Sequence, residues 1–241
     1  MSTQPAGPTV PSERPPAGPA SALDPAEVTT VMRLQILSAE HSSLVATRSL
    51  AWNEAFARVG MYLSLLSGAI VALALVGQGA SFGQPFFVFG LVILPVVLFV
   101  GVTTFLRVGT SNYHDAQCVV GMNRIRAGYL QIAPDLAPFF VMGVHDDTTG
   151  VVQTMAFEPG ISQFAHILAA TPSVVIVVDS VLAATVVAFA LVLLDVVPAV
   201  VFTGGVVAFV VSFVIHVRYG RGRIRTLQAA NEPLFPGPPS V

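Results

Sequence analysis

The stretch MYLSLLSGAIVALALVGQGASFGQPFFVFGLVILPVVLFVGVTTFL, residues 61–106, decides the fold of this chain. It holds two apolar runs of about 17 and about 21 residues around a short turn rich in Gly, Ser and Gln, and it contains no charge. Each run is long enough to cross a hydrocarbon core about 30 Å thick at a rise of about 1.5 Å per residue. We therefore predict a transmembrane helical hairpin over residues 60–107.

A second hairpin is predicted over residues 173–217, with spans at 173–194 and 199–217 around a tight turn at 195–198. The 241 residues are 54% hydrophobic and only 10% charged, whereas a soluble domain carries about 25% charged residues. The sequence thus predicts an all-α integral membrane protein with four transmembrane helices. Small residues that would let the last two spans approach closely are Ala184, Ala188, Gly204, Gly205 and Ala208.

The arginines predict the orientation. All basic side chains of the chain are arginines, and none lies in either short turn: Arg14, Arg33, Arg48, Arg58, Arg107, Arg124, Arg126, Arg218, Arg221, Arg223 and Arg225. Basic residues favour the cytosolic side of a membrane. Both termini and the middle segment 108–172 are therefore expected in the cytosol of a cell with the protein in its plasma membrane. The basic cluster at 218–225 could also contact anionic lipid headgroups.

The two ends of the chain are rich in proline. Residues 1–23 have too few large apolar side chains to order themselves and are predicted to be disordered. Residues 218–241 are expected to be a basic and then proline-rich cytosolic tail. Between the first tail and the first span, residues 24–59 predict an amphipathic helix that starts with Asp24 as its N-cap, Pro25 at its first position and Glu27 in its first turn.

A partner for that helix follows the first hairpin, in a helix that begins the segment 108–172. Spacings of three and four mark a coiled-coil seam that comprises Asp115, Cys118, Met122, Ile125, Tyr129 and Ile132. Because the hairpin returns the chain to the side it left, the two helices should form an antiparallel cytosolic stalk. Residues 135–160 are expected to be irregular, and residues 161–170 are expected to form a short apolar-rich helix at the membrane surface or against the stalk.

Two polar residues, His41 and Arg48, interrupt the apolar arc of the first helix. Arg48 can lay its stem along the apolar surface with its head in water, or it can form a buried ion pair that sets the register of the stalk. Counting outward from the membrane places Asp115 within about one turn of Arg48. We expect these two side chains to pair.

Asp179 is the one acidic residue inside a predicted span. Such a residue is a candidate for a proton or cation site. A contact with His216, which lies at the same level of the fourth span, is the structural alternative, and we favour it.

Two His–Asp sequences, at 114–115 and at 145–147, are the candidates for metal ligation or interfacial catalysis, together with Glu158. Neither has a third ligand at a recognisable spacing. A solvated polar turn is the favoured reading of 145–147, and Cys118, the single cysteine, is read as a small apolar residue. We assign no catalytic, cofactor-binding or metal residue.

Residues 40–76 (EHSSLVATRSLAWNEAFARVGMYLSLLSGAIVALALV) and 121–140 (GMNRIRAGYLQIAPDLAPFF), with the HDD at 145–147, carry a resemblance to known proteins. They resemble a family of uncharacterised four-span membrane proteins from high-GC Gram-positive bacteria, which has no assigned activity. In architecture the chain is also similar to the two-transmembrane effector domains called SLATT domains, which are thought to perforate membranes. That resemblance is one of fold and transfers no residue role.

Three functions remain open at this stage. Assembly or partner binding through the cytosolic helices fits every feature and is preferred. An oligomeric pore or channel comes second, because the spans offer few polar side chains to line a pathway. An enzyme comes last. The expected partners are the lipid bilayer, further copies of the chain and a cytosolic protein, with no nucleic acid and no cofactor.

Overall fold

The computed structural model describes residues 29–155, 171–230 and 232–238. The described residues contain helices and no β-strand. In chain order they are α1 (Thr30–Gly79), α2 (Gln84–Ile132), a 3-10 helix (Pro134–Phe139), α3 (Thr148–Thr154), α4 (Thr171–Leu193) and α5 (Pro198–Ala230). Four of these, α1, α2, α4 and α5, are long and apolar enough to cross a bilayer, so the predicted all-α class with four candidate spans is confirmed.

α1 begins later than the sequence predicted. Thr29 has an extended backbone, and its hydroxyl accepts a hydrogen bond from the Met32 amide at 3.3 Å, which caps the helix. The predicted start at Asp24 therefore does not open this helix, and residues 24–28 lie outside the described residues. From Thr30 the helix runs unbroken into the apolar segment, as the absence of proline up to residue 79 allows.

α1 and α2 are antiparallel neighbours along their whole length. Near the connecting turn Gly77 faces Phe86, further along Tyr62 faces Gly101, and at the far end Leu37 faces Gly128. The turn at 80–83 places Ser81 and Phe82 in the left-handed backbone region, and the Phe82 ring folds back over Gly77. The close fit at Gly77 leaves no room there for a larger side chain.

α2 is the central helix, because it packs against every other helix that the structure describes. The buried apolar core lies where α1, α2 and α4 meet and includes Val59, Leu94, Val97, Val175 and Leu182. α4 and α5 pack on each other as a second helical pair. Gly205 of α5 faces Ala184 and Ala188 of α4, so small residues do lie where these two helices approach closely.

Beyond the apolar segments the helices continue as a polar extension, which we define as residues 30–60 of α1, 107–132 of α2 and 218–230 of α5. The third member was not predicted. Tyr219 lies against Phe105, and the Arg223 guanidinium stacks over the Tyr113 ring at 5.6 Å. The basic cluster thus belongs to a helix that follows α2, rather than to a tail that begins at residue 218.

Gly101 allows the closest approach between the two helical pairs. A Cβ atom at this position would overlap the Asp179 carboxylate and lie 2.9 Å from the Tyr62 ring. Gly101→Ala should therefore push α4 away from α2 and lower the free energy of unfolding by about 1–3 kcal/mol. Thermal unfolding in detergent, followed by helix content, measures the change.

Gly109→Ala is the matched control on the same helix, since no described atom lies within 4 Å of a Cβ there. It should be neutral or stabilising by up to about 1 kcal/mol, because alanine is the better helix former. Equal melting temperatures for the two variants would contradict the close approach at Gly101.

Candidate functional site: three buried aspartates

Three aspartates are almost completely withdrawn from solvent. Asp115 is 3% exposed, and Asp146 and Asp179 are each 0% exposed. A buried carboxylate is costly unless nearby groups donate hydrogen bonds to it or share its charge. Each of these aspartates finds such groups on other elements of the chain, so each one marks a junction that the fold must keep.

Asp115 joins α1 to α2 in the polar extension. Its Oδ1 accepts hydrogen bonds from Arg48 Nε at 2.6 Å and from Trp52 Nε1 at 3.0 Å. The structure thus brings together the two residues that the sequence predicted to pair, and the ion-pair alternative holds for Arg48. Trp52 was not predicted to take part in this contact. Its position one turn after Arg48, on the same face, was the signal that it could share the partner.

A second set of ion pairs lies on the surface of the same two helices. Glu54 accepts two hydrogen bonds from Arg107, at 2.8 and 3.0 Å, and one from Arg58 at 3.1 Å. Hydrogen bonds from Arg107 and Arg58 lower the pKa of Glu54. These side chains are exposed, so the pairs contribute little to stability, in contrast to the buried pair at Asp115.

Asp115→Ala should lower the free energy of unfolding by about 2–4 kcal/mol, because it leaves the partly buried Arg48 without its counter-ion and strands the Trp52 indole N–H. Denaturant unfolding in detergent micelles measures this. Glu54→Gln, which weakens ion pairs between the same helices at an exposed site, is the control and should leave the midpoint almost unchanged. Similar losses in both variants would show that Asp115 holds no special junction.

Asp179 joins both helical pairs inside the apolar region. Its Oδ1 accepts a hydrogen bond from Tyr62 Oη at 2.7 Å, and its Oδ2 lies 3.5 Å from His216 Nε2. The predicted neighbourhood of Asp179 and His216 is therefore present. Tyr62 was missed, although the antiparallel register of the first two helices places it directly opposite Gly101. Phe105 covers the imidazole with its ring edge at a centroid distance of 4.7 Å.

The contact between Asp179 and His216 depends on where the hydrogen atoms of the imidazole lie. Nδ1 lies 2.8 Å from the Ser212 carbonyl oxygen, which can only accept, so Nδ1 carries hydrogen. In a neutral imidazole Nε2 would then present a lone pair to Oδ2 of Asp179. Two lone pairs 3.5 Å apart in a buried site would repel. A proton on Nε2 or on Oδ2 removes that repulsion.

His216→Ala should destabilise the protein strongly, because it removes the imidazole that faces the buried carboxyl group of Asp179 and packs against Phe105. The same change in an Asp179→Asn background should cost less, with a coupling energy of about 1–3 kcal/mol in a double-mutant cycle of thermal unfolding. In the control cycle Thr185→Val takes the place of His216→Ala. The Thr185 hydroxyl donates to the Val181 carbonyl of its own helix at 2.9 Å. Coupling near zero in the His216 cycle would contradict a stabilising contact between His216 and Asp179.

The third aspartate, Asp146, lies in a segment that side chains of α2 hold in place. Asn123, fully buried, donates from Nδ2 to the His145 carbonyl at 2.7 Å and accepts from Thr154 Oγ1 at 2.8 Å. Arg126 Nη1 donates to Asn123 Oδ1 at 2.8 Å and to the Gly143 carbonyl at 3.3 Å. Residues 143–154 are thereby fixed against α2, and Asp147 caps α3 by accepting from the Gly150 amide at 2.8 Å. We call residues 143–154 the platform.

Asp146 holds the proline-rich end of the chain on this platform. Its Oδ2 accepts from Arg124 Nε at 2.7 Å and from the Leu234 amide at 2.9 Å, and its Oδ1 accepts from the Phe235 amide at 2.8 Å. The Gly237 amide donates to Asp147 Oδ2 at 2.8 Å. We call residues 232–238 the docked segment.

The favoured reading of residues 145–147 as a solvated turn is therefore wrong for Asp146. Burial alone would raise the pKa of Asp146, but hydrogen bonds from the Leu234 amide, the Arg124 guanidinium and the Phe235 amide outweigh it and lower the pKa. The Gly150 amide is the main cause of the lowered pKa of Asp147, with a further contribution from the Gly237 amide. Both groups are carboxylates committed to peptide amides.

The other polar candidates are not brought together as a metal site in the part of the chain that the structure describes. His114 is exposed while Asp115 is buried, because neighbouring residues of a helix point about 100° apart. Within residues 29–155, 171–230 and 232–238, no three His, Cys, Asp or Glu side chains lie close enough to hold a metal ion. Glu158 lies outside the described residues, and Cys118 is a buried thiol of the seam, as predicted.

Comparisons of this chain with protein-family models, with curated proteins and with solved structures find no match. The assignment of function therefore depends on the geometry of these three junctions and on the surface around them.

The docked segment should stay on the platform at neutral pH and be released at low pH. The docked pKa of Asp146 lies below its ordinary value of 3.8, so docking is fully stabilised at pH values above 3.8 and is lost as the pH falls through the docked pKa. Spin labels on the cysteines of a Thr149→Cys, Pro238→Cys variant, in a Cys118→Ser background, measure the distance between the platform and the docked segment. We expect a constant distance from about pH 7 to pH 5 and a longer one near pH 2.

Asp146→Asn in the labelled chain is the reference for the released segment and should give the longer distance at every pH. Helix content measured on the same samples distinguishes release from unfolding. A distance that already lengthens between about pH 7 and pH 6, or that matches the reference throughout, would contradict docking on Asp146.

Proposed function

We propose that this chain is an integral membrane protein of the plasma membrane that acts by assembly or partner binding through its cytosolic helices. In this proposal the polar extension is the cytosolic stalk, and α1–α2 and α4–α5 are the two transmembrane hairpins. The arginine distribution supports the orientation, because both connecting turns, at 80–83 and 194–197, lack basic residues. Arg48, Arg107, Arg124 and Arg223 all make their contacts on the side of the polar extension.

One observation carries the functional proposal: the end of the polar extension that lies furthest from the apolar segments exposes large apolar side chains. Phe139 is 77% exposed and Val141 is 85% exposed. Leu136 and Met142 beside them, and Val31 and Ile132 at the ends of α1 and α2, are also exposed. We call this group the apolar tip. Exposed large apolar side chains grouped at one end of a fold are typical of an interaction site.

Lipid is an unsuitable cover for the apolar tip. α2 runs from residue 107, at the end of its apolar segment, to residue 132, and a helix of that length spans about 38 Å. If the apolar segments cross the bilayer, the tip projects well beyond the headgroup region. A second copy of the chain or another protein is then the cover that would remove these side chains from water.

The pore alternative has weaker support. A pathway between copies would need polar side chains on an outer face of the spans. Asp179 instead lies at 0% exposure among helices of a single chain, with Tyr62 bonded to it and His216 beside it. We also propose no catalytic role, since Asp115 and Asp146 are committed to structural partners.

The mass of the protein in lipid nanodiscs, measured by native mass spectrometry, tests the proposal. We expect an assembly of two or more copies, which Phe139→Ser combined with Val141→Ser converts to smaller species. Leu50→Ser is the control, because Leu50 is a similarly exposed apolar residue on the flank of the extension.

A double variant that still assembles would contradict assembly through the tip. So would a monomeric wild-type protein whose double variant is no more soluble than the wild type. Conducting assemblies in a planar bilayer that lose conductance with Asp179→Asn would favour the pore instead.

A further inference from the structure

The docked segment is held almost wholly through its backbone. Its amides at Leu234, Phe235 and Gly237 donate to the carboxylates of Asp146 and Asp147. The Phe235 carbonyl accepts from the Asp146 amide at 3.3 Å, and the Glu232 carbonyl accepts from Arg124 Nη2 at 3.1 Å. Five backbone contacts spread over residues 232–237 thus hold the segment, and main-chain hydrogen bonds of this type are how proteins bind an extended peptide.

The positions of the donors define what such a peptide must contain. Two successive residues need an N–H group, which excludes proline at both. Leu234 is 64% exposed, so the side chain at the first of these positions is not recognised. The third donor is a glycine, and a Cβ at Gly237 would lie 3.2 Å from Asp147 Oδ2 and 3.3 Å from the His145 ring. A small residue is therefore preferred there.

The other proline-rich end of the chain has the wrong donors. Glu13, Gly18 and Pro19 have the same spacing as Glu232, Gly237 and Pro238. In that alignment Pro15 and Pro16 take the places of Leu234 and Phe235. Proline has no N–H group, so both bonds to Asp146 would be missing. The platform thus distinguishes between two segments of similar composition.

We propose that Arg124, Asp146 and Asp147 form a peptide-binding site for extended, proline-flanked segments that present two successive backbone amides and then a glycine, and that residues 232–238 are its built-in, displaceable occupant. Because the carboxylates bind backbone amides, the occupant of the site does not need to belong to the same chain. A separate chain with the same donors fits as well as the chain's own end. The site extends the proposed function by giving partner binding a second, chemically defined surface.

The test uses the full chain with its own segment disabled. Leu234→Pro combined with Phe235→Pro removes both donors to Asp146 and leaves the platform intact. The probe is a dye-labelled synthetic peptide with the sequence of residues 232–241, EPLFPGPPSV. Fluorescence anisotropy should show that it binds the disabled chain at least about tenfold more tightly than the wild-type chain, whose site is occupied. Phe235→Pro alone is the substitute if the double variant fails to fold.

Two changes locate the binding. Asp146→Asn in the disabled chain should weaken peptide binding by at least about tenfold, since asparagine replaces one of the two acceptor oxygens with an NH2 group, which can only donate. Asp135→Asn, at an exposed position of the 3-10 helix, should have no effect. The control peptide EPPPPGPPSV, which lacks both donors, should not bind.

A disabled chain that keeps its helix content but does not bind the peptide would overturn the proposal, and so would equal binding to the wild-type and disabled chains. Either result leaves assembly through the apolar tip unaffected, because the mass measurement in nanodiscs does not involve the docked segment. Conversely, a monomeric protein that binds the peptide would contradict the assembly proposal alone.

Discussion

A carboxylate enclosed by apolar helices must be given hydrogen-bond donors or a proton, and this requirement at Asp179 governs the arrangement of the four long helices. No single helix can supply both partners, since Tyr62 comes from α1 and His216 from α5. Gly101 of α2 makes room for the carboxylate. One buried side chain therefore fixes the level at which all four helices meet, in a region where apolar contacts alone would permit sliding, because lipid offers the same contacts.

The same principle is repeated outside the apolar region with different donors. At Asp115 a guanidinium and an indole fix α1 against α2, and at Asp146 a guanidinium and two peptide amides fix the end of the chain against the platform. The nature of the donors separates the roles. At Asp115 both donors are side chains of the long helix α1, whereas at Asp146 two of the donors are backbone amides of a short segment, and this difference is the basis of the proposal that a peptide with the same amides can replace that segment.

The features that could be predicted from the sequence are those that depend on local composition and on regular helix geometry. Apolar length fixed the four helices, and helical periodicity together with an antiparallel register placed Arg48 beside Asp115, because both rest on regular geometry. The start of α1 was misplaced, since Asp24 and Thr29 are both suitable N-caps and only the backbone at Thr29 decides between them. The docked segment was missed because amide donors are present at every residue except proline and leave no sequence signature. Asp146 was consequently taken for a residue of a solvated turn.

These junctions connect the apolar segments, the polar extension and the platform into one frame. Assembly at the tip and peptide binding at the platform are both consistent with that frame, and both depend on the helices meeting as Asp179 requires. An experimental structure in a lipid nanodisc, at a resolution that places side chains, is the most direct test. We predict Asp179 between Tyr62 and His216 and out of contact with lipid. An Asp179 side chain that faces lipid, or a pathway between copies, would contradict the account.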